Sequence, residues 1–182
     1  MGELSVLRRI LLMNVMVLAY WQAAEAATAT SGPPTWQSQG AGFSVQLTPL
    51  DGEQVQAFFE SMGYPAGVVH EVAAVCVFGT TIRNSARRSV SYDVSRWRAV
   101  TADGKQHHLI TKTDWLARWK AFGLKSDWSI LPPQQTLHPG DWAQGFTTVD
   151  LPAGSRFNLT YKWKQDDHEH DATVYGVQCA PR

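Results

Sequence analysis

The densest run of chemistry-bearing side chains is Asp166-Asp167-His168-Glu169-His170-Asp171. His168 and His170 stand two apart, so on extended backbone they project to the same side. Imidazoles beside a carboxylate such as Asp167 suit Zn²⁺, Cu²⁺ or Ni²⁺. The run falls where a hairpin loop is predicted, between two strands. Two loop histidines alone bind metals only weakly. His107 and His108 would complete the site if their hairpin lay alongside. Without them the run reads as a solvated acidic loop, and that reading is the favoured one.

Other reactive residue types are scattered. His70-Glu71 falls at the start of a predicted buried strand, where such residues cap the strand more often than they catalyse. His138 precedes the turn Pro139-Gly140-Asp141 and reads as turn polarity. Cys76 lies in an apolar run, which raises a thiol pKa and argues against a nucleophile. Glu53, Glu60, Asp103 and Asp114 are spread over predicted helices and turns, and no two pair as glycosidase-like carboxylates. The chain has no Gly-x-Ser-x-Gly, no Cys-x-x-Cys and no phosphate-cradling glycine loop. No catalytic residue is assigned. Asn158-Leu159-Thr160 fits the N-glycosylation pattern but sits mid-strand.

Tryptophan is abundant, with eight in the chain and seven beyond Trp21. Trp97, Trp163, Trp115 and Trp119 fall on apolar stripes and are expected in the core. Trp36, Trp128 and Trp142 fall near turns. Trp128 and Trp142 are the candidate ligand-binding rings, able to stack on a sugar or on a partner's apolar groups.

The N-terminus indicates where this chemistry would operate. Arg8 and Arg9 precede an apolar run from Ile10 to Trp21, broken only by Asn14, and small residues follow through Ala24-Glu25-Ala26. Basic, apolar and A-x-A regions in that order predict a secretory signal over residues 1–26. The Arg8-Arg9 pair is ordinary for such a region and weak evidence for a twin-arginine address. An apolar run of about 12 residues is short of the roughly 20 a spanning helix needs. The expected location is periplasmic or secreted, with no integral membrane segment after cleavage. Cys76 and Cys179, the only cysteines, are then expected to form a disulfide.

The bulk numbers exclude several partners. The net charge is zero, and removal of Glu3, Arg8, Arg9 and Glu25 leaves it at zero. A nucleic-acid partner would require a basic face, so none is expected. With 44% hydrophobic and 18% charged residues, the chain has globular composition.

The elements are mainly β. Residues 27–41 are Gly/Pro-rich and read as a flexible leader, followed by one domain over 42–182. Phe43, Val45 and Leu47 alternate as a strand. Asp51 is expected to cap a short helix carrying Val55, Phe58, Phe59 and Met62, stopped by Gly63. Val72 to Ile82 reads as one long buried strand. Val90, Tyr92 and Val94 alternate before Trp97 and Ala99 change parity, which predicts a bulge near Ser95–Arg96. Asp103-Gly104 is a hairpin turn. Trp115, Leu116, Trp119 and Phe122 mark a helix over 114–122, with Thr113 as N-cap and Gly123 at its end. Trp142 to Val149 reads as a further strand. Phe157, Leu159, Tyr161 and Trp163 alternate on a half-buried strand, and Thr173 to Cys179 pairs with it across a loop over 165–171.

Leu137-His138-Pro139-Gly140-Asp141-Trp142, with Leu151-Pro152-Ala153-Gly154-Ser155-Arg156-Phe157, resembles a turn-and-strand pattern of bacterial exported Ig-like domains. The resemblance covers about 20 residues and implies architecture alone. The expected fold is an Ig-like antiparallel β-sandwich with one or two short α-helices. The expected function is an exported, soluble, non-catalytic binding or accessory domain contacting a protein or small ligand through its loop end. The alternatives are an extracytoplasmic Cu/Zn/Ni-binding protein using His168 and His170, and a carbohydrate-binding module. No cofactor is assigned beyond that transition metal.

Overall fold

Alternation at period two dominates this chain, and among the described residues it builds ten strands. The computed structural model describes residues 32–125 and 127–181. The signal and residues 27–31 lie outside the described residues. In chain order the strands are β1 (Trp36–Gly40), β2 (Phe43–Leu50), β3 (Cys76–Asn84), β4 (Val90–Asp93), β5 (Arg98–Thr101), β6 (Gln106–Ile110), β7 (Gln134–Leu137), β8 (Trp142–Val149), β9 (Arg156–Gln165) and β10 (His168–Gln178). The helices are α1 (Gly52–Ser61), α2 (Ala66–Ala73) and α3 (Lys112–Trp119). The fold is thus mainly antiparallel β with three short helices.

Two layers form from one continuous path. In the first, β1, β2, β3 and β8 pair antiparallel in that order. In the second, β10 pairs β9, and β9 pairs β5 and β4 on its other side. The strand β6 joins the layers: Gln106 to His108 pair with β5, and Leu109 and Ile110 pair with β8. A corner strand of this kind lets a sheet fold back on itself. Between the layers lies a core of alternating residues, including Phe43, Phe78, Ile82, Tyr92, Trp97, Tyr161 and Trp163. Burial pushes the Tyr92 hydroxyl up to about 12.

The helices cover part of the outer surface of the first layer. Val55 and Phe59 of α1, Val68, Val69 and Val72 of α2, and Trp115 and Trp119 of α3 form a second core with Val77 and Ile110. Asp51 caps α1 through a reciprocal capping box with Gln54. Trp115 and Trp119 stack at 5.1 Å. The Trp115 Nε1–H donates to Thr148 Oγ1 at 2.8 Å, and Thr148 Oγ1 donates to the Ile110 carbonyl. No helix among the described residues is long and apolar enough to cross a membrane.

Several expectations are corrected. Residues Trp36–Gly40, expected within a flexible leader, form β1, with Trp36 opposite Leu47. The run predicted as one strand over Val72 to Ile82 is divided, because Val72 ends the apolar face of α2 and the strand begins at Cys76. Val68, Val69 and Val72 sit at helical spacing, and packing against α1 outweighs their β-branched preference. The N-cap of α3 is Thr111, not Thr113. Its hydroxyl accepts from the Asp114 amide, and the Asp114 carboxylate accepts from the Thr111 amide. The parity change before Trp97 is a 3-10 turn, Val94–Arg96, capped by Asp93. The expected loop over 165–171 shrinks to a turn at Asp166 and Asp167, with Asp166 in the left-handed region at φ 54°. Among the described residues the expected one or two helices are three.

Cys76 and Cys179 form the disulfide, with Cα atoms 5.4 Å apart. It ties the start of β3 to the residue after β10, and so staples one layer to the other.

Candidate functional site

The acidic histidine run forms a tight turn and the start of β10. His168 and His170 do share a face of β10. His170 lies opposite Trp163, and the rings stack at 5.4 Å. Glu169 points to the other face, where it pairs with Arg96 and Lys162. Hydrogen bonds from Lys162 and then Arg96 hold its carboxyl below the usual glutamate range. Asp166 pairs with Arg88, and Asp167 adjoins it in the exposed turn.

His107 does not come alongside. It sits opposite Ala99, which lies opposite Leu159, which lies opposite Val174. Three strand spacings across and four residues along β9 separate it from His170, roughly 20 Å. Among the described residues no group of three His, Cys, Asp or Glu is placed to hold a metal ion.

Of the other titratable candidates, His138 has structural partners, whereas Glu71 keeps a buried carboxylate oxygen with no hydrogen-bond partner among the described residues. His70 and Glu71 ride on α2 rather than on a strand. His138 Nδ1 lies 3.0 Å from Ser89 Oγ, and the His138 amide donates to Asp141. Asn158 of the glycosylation pattern accepts from the Gly176 amide, which holds the β-bulge of β10. Cys76 is engaged in the disulfide with Cys179, as expected.

The tryptophans divide as their positions predict. Trp97, Trp115, Trp119 and Trp163 are buried, whereas Trp128 is 67% and Trp142 55% exposed. The register shows what surrounds Trp142. On the outer surface of the first layer, Gln39, Ser44, Arg83 and Trp142 form one row across β1, β2, β3 and β8. Gln37, Gln46, Thr81 and Gln144 form the next. These residues are exposed or half-buried. The Arg83 guanidinium lies 6.0 Å from the Trp142 ring centroid, within cation–π range. In the third row Phe146 meets Phe58 of α1 at 4.9 Å, and the helical layer begins. Phe58 in turn meets Trp128 edge-on at 6.2 Å. One open face therefore carries two polar rows whose single charge is Arg83, with Trp142 in the outermost row and Trp128 at the helical border.

Trp128 is held there by a buried carboxylate. Asp127 accepts from the Tyr64 hydroxyl at 2.6 Å, the Ser129 hydroxyl at 2.8 Å and the Ile130 amide at 2.9 Å. Desolvation, and then Asp127, push the Tyr64 hydroxyl well above its usual range. The spacing of these residues gave no warning of the arrangement. Its only sequence signal was the pair of turn-proximal tryptophans.

A cleft of about 890 Å³ lies at the disulfide, between Trp36, Leu50, Val75, Ala153 and the two cysteines. Its polar rim includes Asp51 and Gln54, which are already engaged with each other in the α1 cap.

No family model matches the chain, and no curated protein matches it. Among solved structures, a DUF4426 family protein from Pseudomonas aeruginosa is similar with a TM-score of 0.39 and 10% identity, over 81% of this chain and 96% of that chain.

Proposed function

We propose that this chain is an exported, non-catalytic binding or accessory domain that holds its ligand on the outer face of β1, β2, β3 and β8. The observation that carries this reading is the half-exposed Trp142 ring on an otherwise polar, uncovered sheet face. Large aromatic rings dominate binding energetics where they are displayed on rigid backbone. Arg83 is the one ionisable group in the two outer rows, which suits binding and supplies no acid–base pair. The Ig-like reading belongs to the same proposal. It rests on two facing β layers stapled by a disulfide, although the shared strand β6 makes one continuous path of them.

Export is supported by the basic, apolar and small-residue order of residues 1–26 and by the disulfide, which suits an oxidising compartment. Mass spectrometry of the chain from the periplasm or medium is expected to find Ala27 as its first residue. An intact Met1 on a chain confined to the cytoplasm would contradict export.

The binding reading is tested by thermal unfolding of the chain with size-fractionated extracts of its host's cell envelope. At least one fraction is expected to raise Tm. A ligand at about 100 times its Kd adds ~2.7 kcal/mol, which is several degrees for a domain of this size. Trp142→Ala is expected to abolish the shift. An equal shift in the variant, or no shift with any fraction, contradicts the reading.

A further inference from the structure

We infer that the ligand of this face is an extended neutral oligosaccharide. The inference rests on the binding-face reading above and names its ligand class.

The argument begins with charge. Across the two outer rows the single charged side chain is Arg83, among Gln37, Gln39, Gln46, Gln144, Ser44 and Thr81. A polyanion would require clustered Lys and Arg, as nucleic acids do. A peptide docking through an apolar surface would strand these amides and hydroxyls without partners, at a cost for each one desolvated. Sugar hydroxyls avoid that cost because each both donates and accepts. A glutamine amide presents two donors and an acceptor in one plane, and a serine or threonine hydroxyl serves in either role. The C–H face of a sugar ring is apolar and fits the negative face of an indole, which Trp142 supplies at the end of the row.

Shape then favours a chain over a single sugar. The face is open rather than pocketed, and four strands span ~15 Å across it. No single residue could be enclosed there, whereas an extended oligomer would meet both rows at once. The backbone ladders fix these side chains at their roots, so less order must be imposed on binding.

The test is calorimetric titration of the exported chain with cellohexaose, chitohexaose and maltohexaose, with glucose, N-acetylglucosamine and hexagalacturonate for comparison. At least one neutral hexamer is expected to bind more tightly than its monomer and than hexagalacturonate. Its affinity is expected to change less than about twofold between low and high salt, since no ion pair is screened. Trp142→Ala is expected to weaken binding about tenfold, and Gln144→Ala about fivefold. Trp142→Phe retains an aromatic face and is expected to stay within about threefold of the parent, which separates loss of stacking from loss of fold. Preference for hexagalacturonate, or hexamer binding indifferent to Trp142→Ala, overturns the inference. So does failure of every neutral hexamer. In that last case, an envelope-extract shift that still depends on Trp142 would leave the binding face standing and remove only the glycan. Loss of both removes both.

Discussion

A chain carrying Cys76→Ala and Cys179→Ala is expected to unfold with about 4 kcal/mol less stability than the oxidised parent. The cysteines are 103 residues apart in sequence. In the chain-entropy account, a loop of that length confers ~4–5 kcal/mol by restricting the unfolded state. Cys76 opens β3, Cys179 follows β10, and both are buried in the core between the layers. For a domain of this size the loss lowers Tm by roughly 10 °C. Urea unfolding of the two proteins measures it. A difference below about 1 kcal/mol would mean that the unfolded chain is already compact or that β6 alone holds the layers together.

Trp115→Ala is expected to cost a similar amount, about 3–5 kcal/mol, through a different mechanism. Trp115 is fully buried between α3 and β8 and stacks on Trp119. Its removal leaves a cavity and takes away the donor that Thr148 Oγ1 receives. Trp115→Phe separates the two effects. It keeps most of the buried ring area and loses the hydrogen bond, for an expected cost of about 1 kcal/mol. The helical layer also carries Phe58, which borders the open face. Loosening that layer should therefore alter Trp128 more than Trp142. Equal stability of Trp115→Ala and parent would show that the helices are not held through this contact.

Much of this architecture is legible from spacing. Phe157, Leu159, Tyr161 and Trp163 alternate so strictly that β9 could be read directly, and an even pair of cysteines in a chain read as exported has one simple expected outcome. The aromatic face of α3 was equally clear. What escaped reading has physical causes. α2 is built from Val68, Val69 and Val72, whose branched side chains favour strands when taken alone; only the groove beside α1 makes them helical. β1 is short and follows Gly-Pro-Pro, and its pairing partner Leu47 decides its conformation. His168 and His170 were read as a loop because Asp166 and Asp167 extend the polar run. A left-handed Asp166 turns the chain within two residues and leaves both histidines on β10.

The open face was the least legible feature. Gln39, Ser44, Arg83 and Trp142 span more than a hundred residues of sequence, and only strand register places them in one row. Each one looks like ordinary surface polarity. Tryptophan composition marked the candidates, and pairing gave one of them neighbours with a shared chemistry.

The most direct test of the proposed binding face is the indole ¹H–¹⁵N spectrum of the chain, recorded during titration with the neutral hexamer that binds most tightly or, failing one, the envelope fraction that raises Tm. The Trp142 resonance is expected to move in proportion to occupancy, with smaller changes at Trp128. The buried Trp97, Trp115, Trp119 and Trp163 are expected to stay in place. A stationary Trp142 beside a moving Trp36 would transfer the site to the cleft at Cys76 and Cys179, and would contradict the account.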